Sequence, residues 1–417
     1  MNSESSATPA TRDRSALLII GATVVAGITG YAVTFVVFRA TGAAAYSVFA
    51  VFWAALYLVI GGLSGIQQEI ARATHRIDAE SRTAPSRART FGIVTAGVVF
   101  LLVVVSSPLW SSASFRTDAQ ALVLPLAVGS ACYVLVATMS GSLYGVSQWR
   151  SVALLVAADG VLRLVLLLVA LLFTRDIVVL AWVVALPFPL ALVLSWRFIR
   201  GGFVGRSDLD VGYRALTWNV ARTVLASAST AILVSGFPLL LGLTAKSEPG
   251  GLVGQLIFTI TLTRAPLIVS VMALQSYFVV RFRDGARSMS RTLLYVLLAV
   301  IIGTLLLAGL GWLFGAPLLE WVSGSRHISI EGNVIAVLIA SSGLVAALSV
   351  TGSAVLARSR HLVYSSGWFA AAIVTIGVML TGIDFIPRVE TALILGPAAG
   401  LLFHLAVFAA RPRRVAS

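Results

Sequence analysis

Twelve apolar stretches, each about 20 or more residues long, occupy most of this 417-residue chain, with only short polar breaks between them. A helix needs that length to cross a hydrocarbon core of ~30 Å. A transmembrane barrel would show roughly ten-residue segments of alternating polarity instead. The stretches run approximately over 16–38, 46–66, 91–110, 120–144, 152–173 and 178–196. They continue over 217–243, 252–280, 292–314, 331–357, 362–383 and 389–410. Charged residues make up 11% of the chain, against about 25% in soluble domains. The expected fold is therefore an all-α polytopic membrane protein of about 12 transmembrane helices.

Thirty basic residues give a net charge of +14. They are scattered through short loops and not clustered with aromatics on a soluble domain, so nucleic acid is excluded as the partner. Placing both termini in the cytosol puts 21 of them on the inner side, and Arg39, Arg116, Arg175, Lys246, Arg326 and Arg388 outside. The positive-inside rule selects that orientation. Basic inner loops around 67–90 and 197–216 suit anionic membrane lipid. The first apolar run is too long for a cleaved leader and reads as a retained helix.

The spans divide into two groups of six. The expected organisation is a disordered cytosolic tail over 1–14, a lobe over 15–200, a basic linker over 201–216, a second lobe over 217–410 and a basic tail over 411–417. A shift of 208 residues lays span one on span seven, span two on span eight and Gln67 on Gln275. Two six-helix lobes related by a parallel pseudo-repeat are a recurrent transporter plan. Pro125, Pro187, Pro189, Pro238, Pro266 and Pro397 fall within spans, where each frees backbone groups and bends a helix.

Three arginines lie inside apolar runs. A central arginine costs about 2.5–3.5 kcal/mol on insertion scales, so each needs a compensating partner. Arg163 has Asp159 one turn earlier, the i,i+4 spacing at which the two can pair. That pair is either a self-neutralised structural feature or the wall of a watery cavity. Arg264 has no acid within one turn and must find water, a distant partner or an anionic ligand. Arg222 lies near Asn219 and close enough to the inner loop to snorkel. Arginine forks match phosphate and carboxylate, so Arg163, Arg264, Arg222 and Asn219 are the candidate substrate contacts. Asp159 is the candidate for ion coupling. Gln67, Glu69 and Arg72, at the inner end of the second span, are candidates for a cytosolic gate.

Enzymatic chemistry has no support here. No phosphate-binding loop, nucleophile motif or metal-ligand spacing occurs, and no cofactor is implied. The loops are too short for a soluble catalytic domain. Cys132 is the only cysteine, so an intramolecular disulfide is impossible.

The opening two spans read Gly30-Tyr31, then Phe38-Arg39-Ala40-Thr41-Gly42 and Tyr46-Ser47-Val48-Phe49, followed by Gly61-Gly62-Leu63 and Glu69-Ile70-Ala71-Arg72. This run, with Arg264-Ala265-Pro266 in the eighth span, resembles the polysaccharide flippases of the multidrug/oligosaccharidyl-lipid/polysaccharide (MOP) exporter superfamily. Phe38, Thr41 and Ser47 depart from that family's usual residues. The resemblance implies a two-lobed flippase of a bacterial inner membrane, carrying a lipid-linked oligosaccharide or polysaccharide precursor from inner to outer leaflet. Glycosyltransferases or a polymerase of the same pathway would be its partners. The competing readings are an ion-coupled small-molecule exporter of the same superfamily and a non-transporting scaffold of a polysaccharide assembly complex.

Overall fold

A computed structural model describes residues 9–76, 87–115, 118–203, 207–264, 267, 271, 278, 281, 282, 289–324 and 329–409. The described residues are overwhelmingly helical, as the apolar pattern requires. Helix α1 (Pro9–Ala73) carries the first two spans, interrupted only at Gly42, whose φ of 78° an L side chain rarely adopts. The expected outer loop before Tyr46 is thus reduced to one glycine break. Residues 9–14 of the expected disordered tail are helical, and residues 1–8 and 411–417 lie outside the described residues.

Helices α2 (Arg87–Phe115), α3 (Ala119–Gly145) and α4 (Trp149–Phe173) are single spans. The sixth span is broken into α5 (Ile177–Ala185) and α6 (Pro187–Phe203). The seventh consists of α7 (Tyr213–Val234) and α8 (Phe237–Thr244), bent by 69°. Helix α9 (Gly250–Arg264) opens the eighth span, and Pro266 lies outside the described residues. Helices α10 (Met289–Ser323), α11 (Gly332–Ala357), α12 (His361–Met379) and α13 (Phe385–Ala409) complete the chain. Among the described residues nine helices are long and apolar enough to cross a membrane, or ten with α7–α8 taken as one bent span. Since α1 contains two of the expected spans and the eighth is described only in part, this accords with about twelve.

One local feature departs from the sequence reading. Strand β1 (Thr74–Arg76) pairs antiparallel with β2 (Ser207–Leu209), bringing His75 opposite Asp208. The Asp210 amide donates to the Ala73 carbonyl at 2.9 Å. Of the expected linker over 201–216, residues 201–203 belong to α6, 207–209 form the strand laid on the end of α1, and 213–216 open α7. Leu209, Leu216 and Val220 bury against Leu63, Ile66, Ile70 and Phe91, which holds this ribbon down.

The chain divides into two compact units. One holds Met1–Ala40 and Val51–Ala228, the other Thr41–Ala50 and Ser229–Ser417. The packing boundary falls inside α7, after the ribbon.

Within the second unit α11 is the most buried span, and it is rich in small polar residues. Ser341, Ser349 and Ser353 each return their hydroxyl proton to a backbone carbonyl of the preceding turn, at 2.7, 2.9 and 3.0 Å. Their polarity is thereby hidden while their small size admits close neighbours, the usual means of helix association in lipid. In contrast, α2 and α10 expose Leu, Val and Ile along most of their length, as lipid-facing helices should.

Candidate functional site

The periodicity of α4 separates a lipid face from an inner face. Leu154, Val161, Val165, Leu168 and Leu172 are exposed, while Val152, Leu155, Arg163 and Leu167 are buried. At 3.6 residues per turn, Asp159 falls on the buried side. Arg163 donates from Nη2 to Asp159 Oδ1 at 2.7 Å, from Nη1 to the Tyr57 hydroxyl at 2.6 Å and from Nε to the Val184 carbonyl at 3.2 Å. Its guanidinium carbon lies 4.8 Å from the Phe188 ring centre, 5.7 Å from Tyr57 and 6.0 Å from Trp53. Trp53 and Tyr57 are one turn apart on α1 and their rings lie 4.6 Å apart at 31°.

The Val184 carbonyl belongs to the last turn of α5, just before Pro187 and Pro189 interrupt the helix. Carbonyls at a helix end run out of intrahelical partners. Arg163 thus serves as an acid's counter-ion and as a cap for a broken helix. The pair is unequally accessible: the Arg163 side chain is 5% exposed and that of Asp159 is 21% exposed.

Arg264 lies in the second unit and repeats the capping solution. Its Nη1 donates to the Leu233 carbonyl at 3.1 Å and reaches the Val234 carbonyl at 3.5 Å, where α7 ends at the bend. The Phe237 ring lies 5.7 Å from the guanidinium carbon. The partner expected for this arginine is therefore supplied by helix-end carbonyls, and its positive charge also suits the negative end of the helix dipole.

At the inner end of α1, Glu69 accepts from the Thr223 hydroxyl at 2.8 Å and from Arg72 Nε at 2.9 Å. Gln68 Nε2 reaches Ser227 Oγ at 3.4 Å. A Cβ at Gly65 would come within 2.6 Å of the Val224 amide nitrogen, so glycine there lets α1 and α7 approach closely. Of the expected gate residues, Glu69 and Arg72 thus meet. Gln67 is partly buried. Asn219 is partly buried, and its backbone carbonyl accepts from the Thr223 hydroxyl at 3.0 Å. Arg222 is exposed, consistent with snorkelling.

Sequence reasoning does not reach the aromatic surroundings of Arg163, namely Trp53, Tyr57 and Phe188. The i,i+4 spacing of Trp53 and Tyr57 was the available signal. His404 in α13 is fully buried, with Nδ1 3.2 Å from Thr351 Oγ1 and Nε2 3.3 Å from the Tyr364 carbonyl. Among the described residues no group of three or more His, Cys, Asp or Glu is arranged to hold a metal ion.

No protein-family model matches the chain. It is 32% identical over 396 residues to uncharacterized protein Mb3654 of Mycobacterium bovis, covering 93% of this chain and 90% of that one. Against uncharacterized protein Rv1510 of Mycobacterium tuberculosis it is 32% identical over 409 residues, covering 94% and 90%. Among solved structures, an inward-facing MATE multidrug resistance transporter of the MOP superfamily superposes with a TM-score of 0.69 at 13% identity, covering 93% of this chain and 96% of that one. The lipid II flippase MurJ in an inward closed conformation gives 0.69 at 12% identity, covering 94% and 87%. A MOP transporter from Pyrococcus furiosus, described as having a binding pocket of reverse polarity, gives 0.59 at 15% identity, covering 95% of each chain. At these identities the likeness is one of fold: that of a multi-pass MOP-superfamily transporter.

Proposed function

The chain belongs to one family with the mycobacterial proteins Mb3654 and Rv1510 and has the MOP transporter fold, and on that basis we propose that it flips a lipid-linked oligosaccharide from the inner to the outer leaflet of a bacterial cytoplasmic membrane. The observation that carries this reading is the Asp159–Arg163 pair. It is a charged pair on the inward face of a membrane helix, in a fold whose solved members are transporters. Charges at such depth mark substrate or ion pathways. The headgroup passes along the inner face while the lipid tails stay in the bilayer. The two lobes alternate in access, and no covalent chemistry is involved.

The distribution of cations supports cytosolic termini. Glycosyltransferases or a polymerase would supply and consume the glycan. The runner-up is an ion-coupled small-molecule exporter, favoured by the partial exposure of Asp159, a carboxylate able to exchange a coupling ion.

Reconstitution distinguishes these readings. Proteoliposomes containing the full chain should move a farnesyl pyrophosphate-linked oligosaccharide to the opposite leaflet, read by lectin accessibility. Transport of a cationic dye without glycan flipping would select the exporter. If neither moves, the scaffold reading replaces both.

A further inference from the structure

Asp159 and Arg163 are opposite in charge, yet they are not equally available. Every nitrogen of the Arg163 guanidinium already has an acceptor within the first unit, and the side chain is 5% exposed. Asp159 uses Oδ1 for Arg163 and is 21% exposed on the side of α4 away from lipid. Its second oxygen has no protein partner among the described residues. The group presented to an incoming headgroup is therefore a carboxylate oxygen, a hydrogen-bond acceptor. A phosphate arriving there meets a pair whose charges already cancel, with every guanidinium nitrogen already hydrogen-bonded.

The second element is the partly exposed Trp53–Tyr57 ring pair on α1, which the Arg163 guanidinium joins to the carboxylate. Aromatic rings offer apolar faces with a polar edge. A pyranose has the matching chemistry, with a C–H face to stack on the ring and hydroxyl groups at its rim to donate to the carboxylate. A cation would also approach rings and a carboxylate, but here the guanidinium already neutralises the acid.

We propose that Trp53 and Asp159 form a sugar-binding subsite for the glycan headgroup, with Arg163 as the positioning residue that fixes Asp159 and Tyr57. This rests on the flippase reading above and moves the substrate contact from the arginine to its neighbours. The pyrophosphate binds elsewhere.

The test uses the full chain in proteoliposomes, with the farnesyl pyrophosphate-linked oligosaccharide as substrate and farnesyl pyrophosphate as a sugarless competitor. Trp53→Ala and Asp159→Asn should each slow glycan flipping about tenfold, the scale of one lost ring or hydrogen-bond contact. Trp53→Phe should restore most of the rate. Farnesyl pyrophosphate should inhibit wild type and variants at the same concentration, because its site is intact. Thermal melting separates misfolding from lost binding, and Trp53→Leu replaces Trp53→Ala if the smaller side chain unfolds the protein. Wild-type rates in folded variants would overturn the subsite. So would a tenfold loss of farnesyl pyrophosphate inhibition in Trp53→Ala, which would assign the ring pair to the phosphate. Absence of flipping by the wild type would instead defeat the flippase reading itself.

Discussion

Arg163 donates from Nε to the backbone carbonyl of Val184, 21 residues further along the chain, at 3.2 Å. The contact ties the middle of α4 to the point where α5 breaks before Pro187. An arginine in a membrane span thereby removes the cost of a helix interruption that lipid itself could not solvate. The same logic joins Arg264 to Leu233, so both buried arginines support broken helices whatever else they do.

Replacing Arg163 by Ala should destabilise the protein by about 3–5 kcal/mol, the cost of leaving one member of a buried pair uncompensated. Arg163→Lys should recover only part of it, since a single ammonium lacks the planar fork that reaches Asp159, Tyr57 and Val184 together. Thermal unfolding in detergent micelles measures both. A melt of Arg163→Ala indistinguishable from wild type would refute the structural role.

For Arg264→Ala the expected loss is about 1–3 kcal/mol, from orphaned carbonyls at the bend between α7 and α8. The loss should appear in the melting temperature. If stability is unchanged and only the substrate concentration for half-maximal flux rises, Arg264 acts on the substrate and the capping account fails.

Gly367→Ala should be strongly destabilising, because a Cβ at that position would overlap the His404 ring. The ring is held by Thr351 and the Tyr364 carbonyl and cannot swing away without losing both. Combining Gly367→Ala with His404→Ala should recover part of the loss, a coupling that a double-mutant cycle reads directly. Additive effects would show that the ring does not determine the cost.

The Glu69–Arg72 pair should contribute under about 1 kcal/mol, since Arg72 is 52% exposed and water screens it. Glu69→Gln should therefore leave the melting temperature nearly unchanged. Any larger effect on flux than on stability would mark the contact with Thr223 as part of a moving gate.

Orientation is testable with single cysteines in a Cys132→Ala background. Both Ser247 and Ser359 are exposed, on loops assigned to opposite sides. A membrane-impermeant maleimide should label Ser247→Cys in intact cells and Ser359→Cys only after permeabilisation. The reverse pattern would invert the topology.

Span number and helical class were legible because hydrocarbon imposes a minimum run of apolar residues that loops cannot imitate. The Asp159–Arg163 pairing was legible for a similar reason, as helical geometry alone puts residues four apart on one face. The ribbon from Thr74 to Leu209 was not, because three-residue strands carry no periodic signal and pair only when the end of α1 and the start of α7 come side by side.

Local sequence therefore determined what must be buried: twelve apolar runs, two deep arginines and an acid one turn from one of them. Tertiary structure alone decided what those charges touch. Val184, Leu233, Trp53 and Tyr57 are remote in sequence from the arginines they meet. Carbonyls freed at a helix break have no side-chain signature, and only packing reveals which donor arrives there. The same packing left the Asp159 side chain more exposed than that of Arg163.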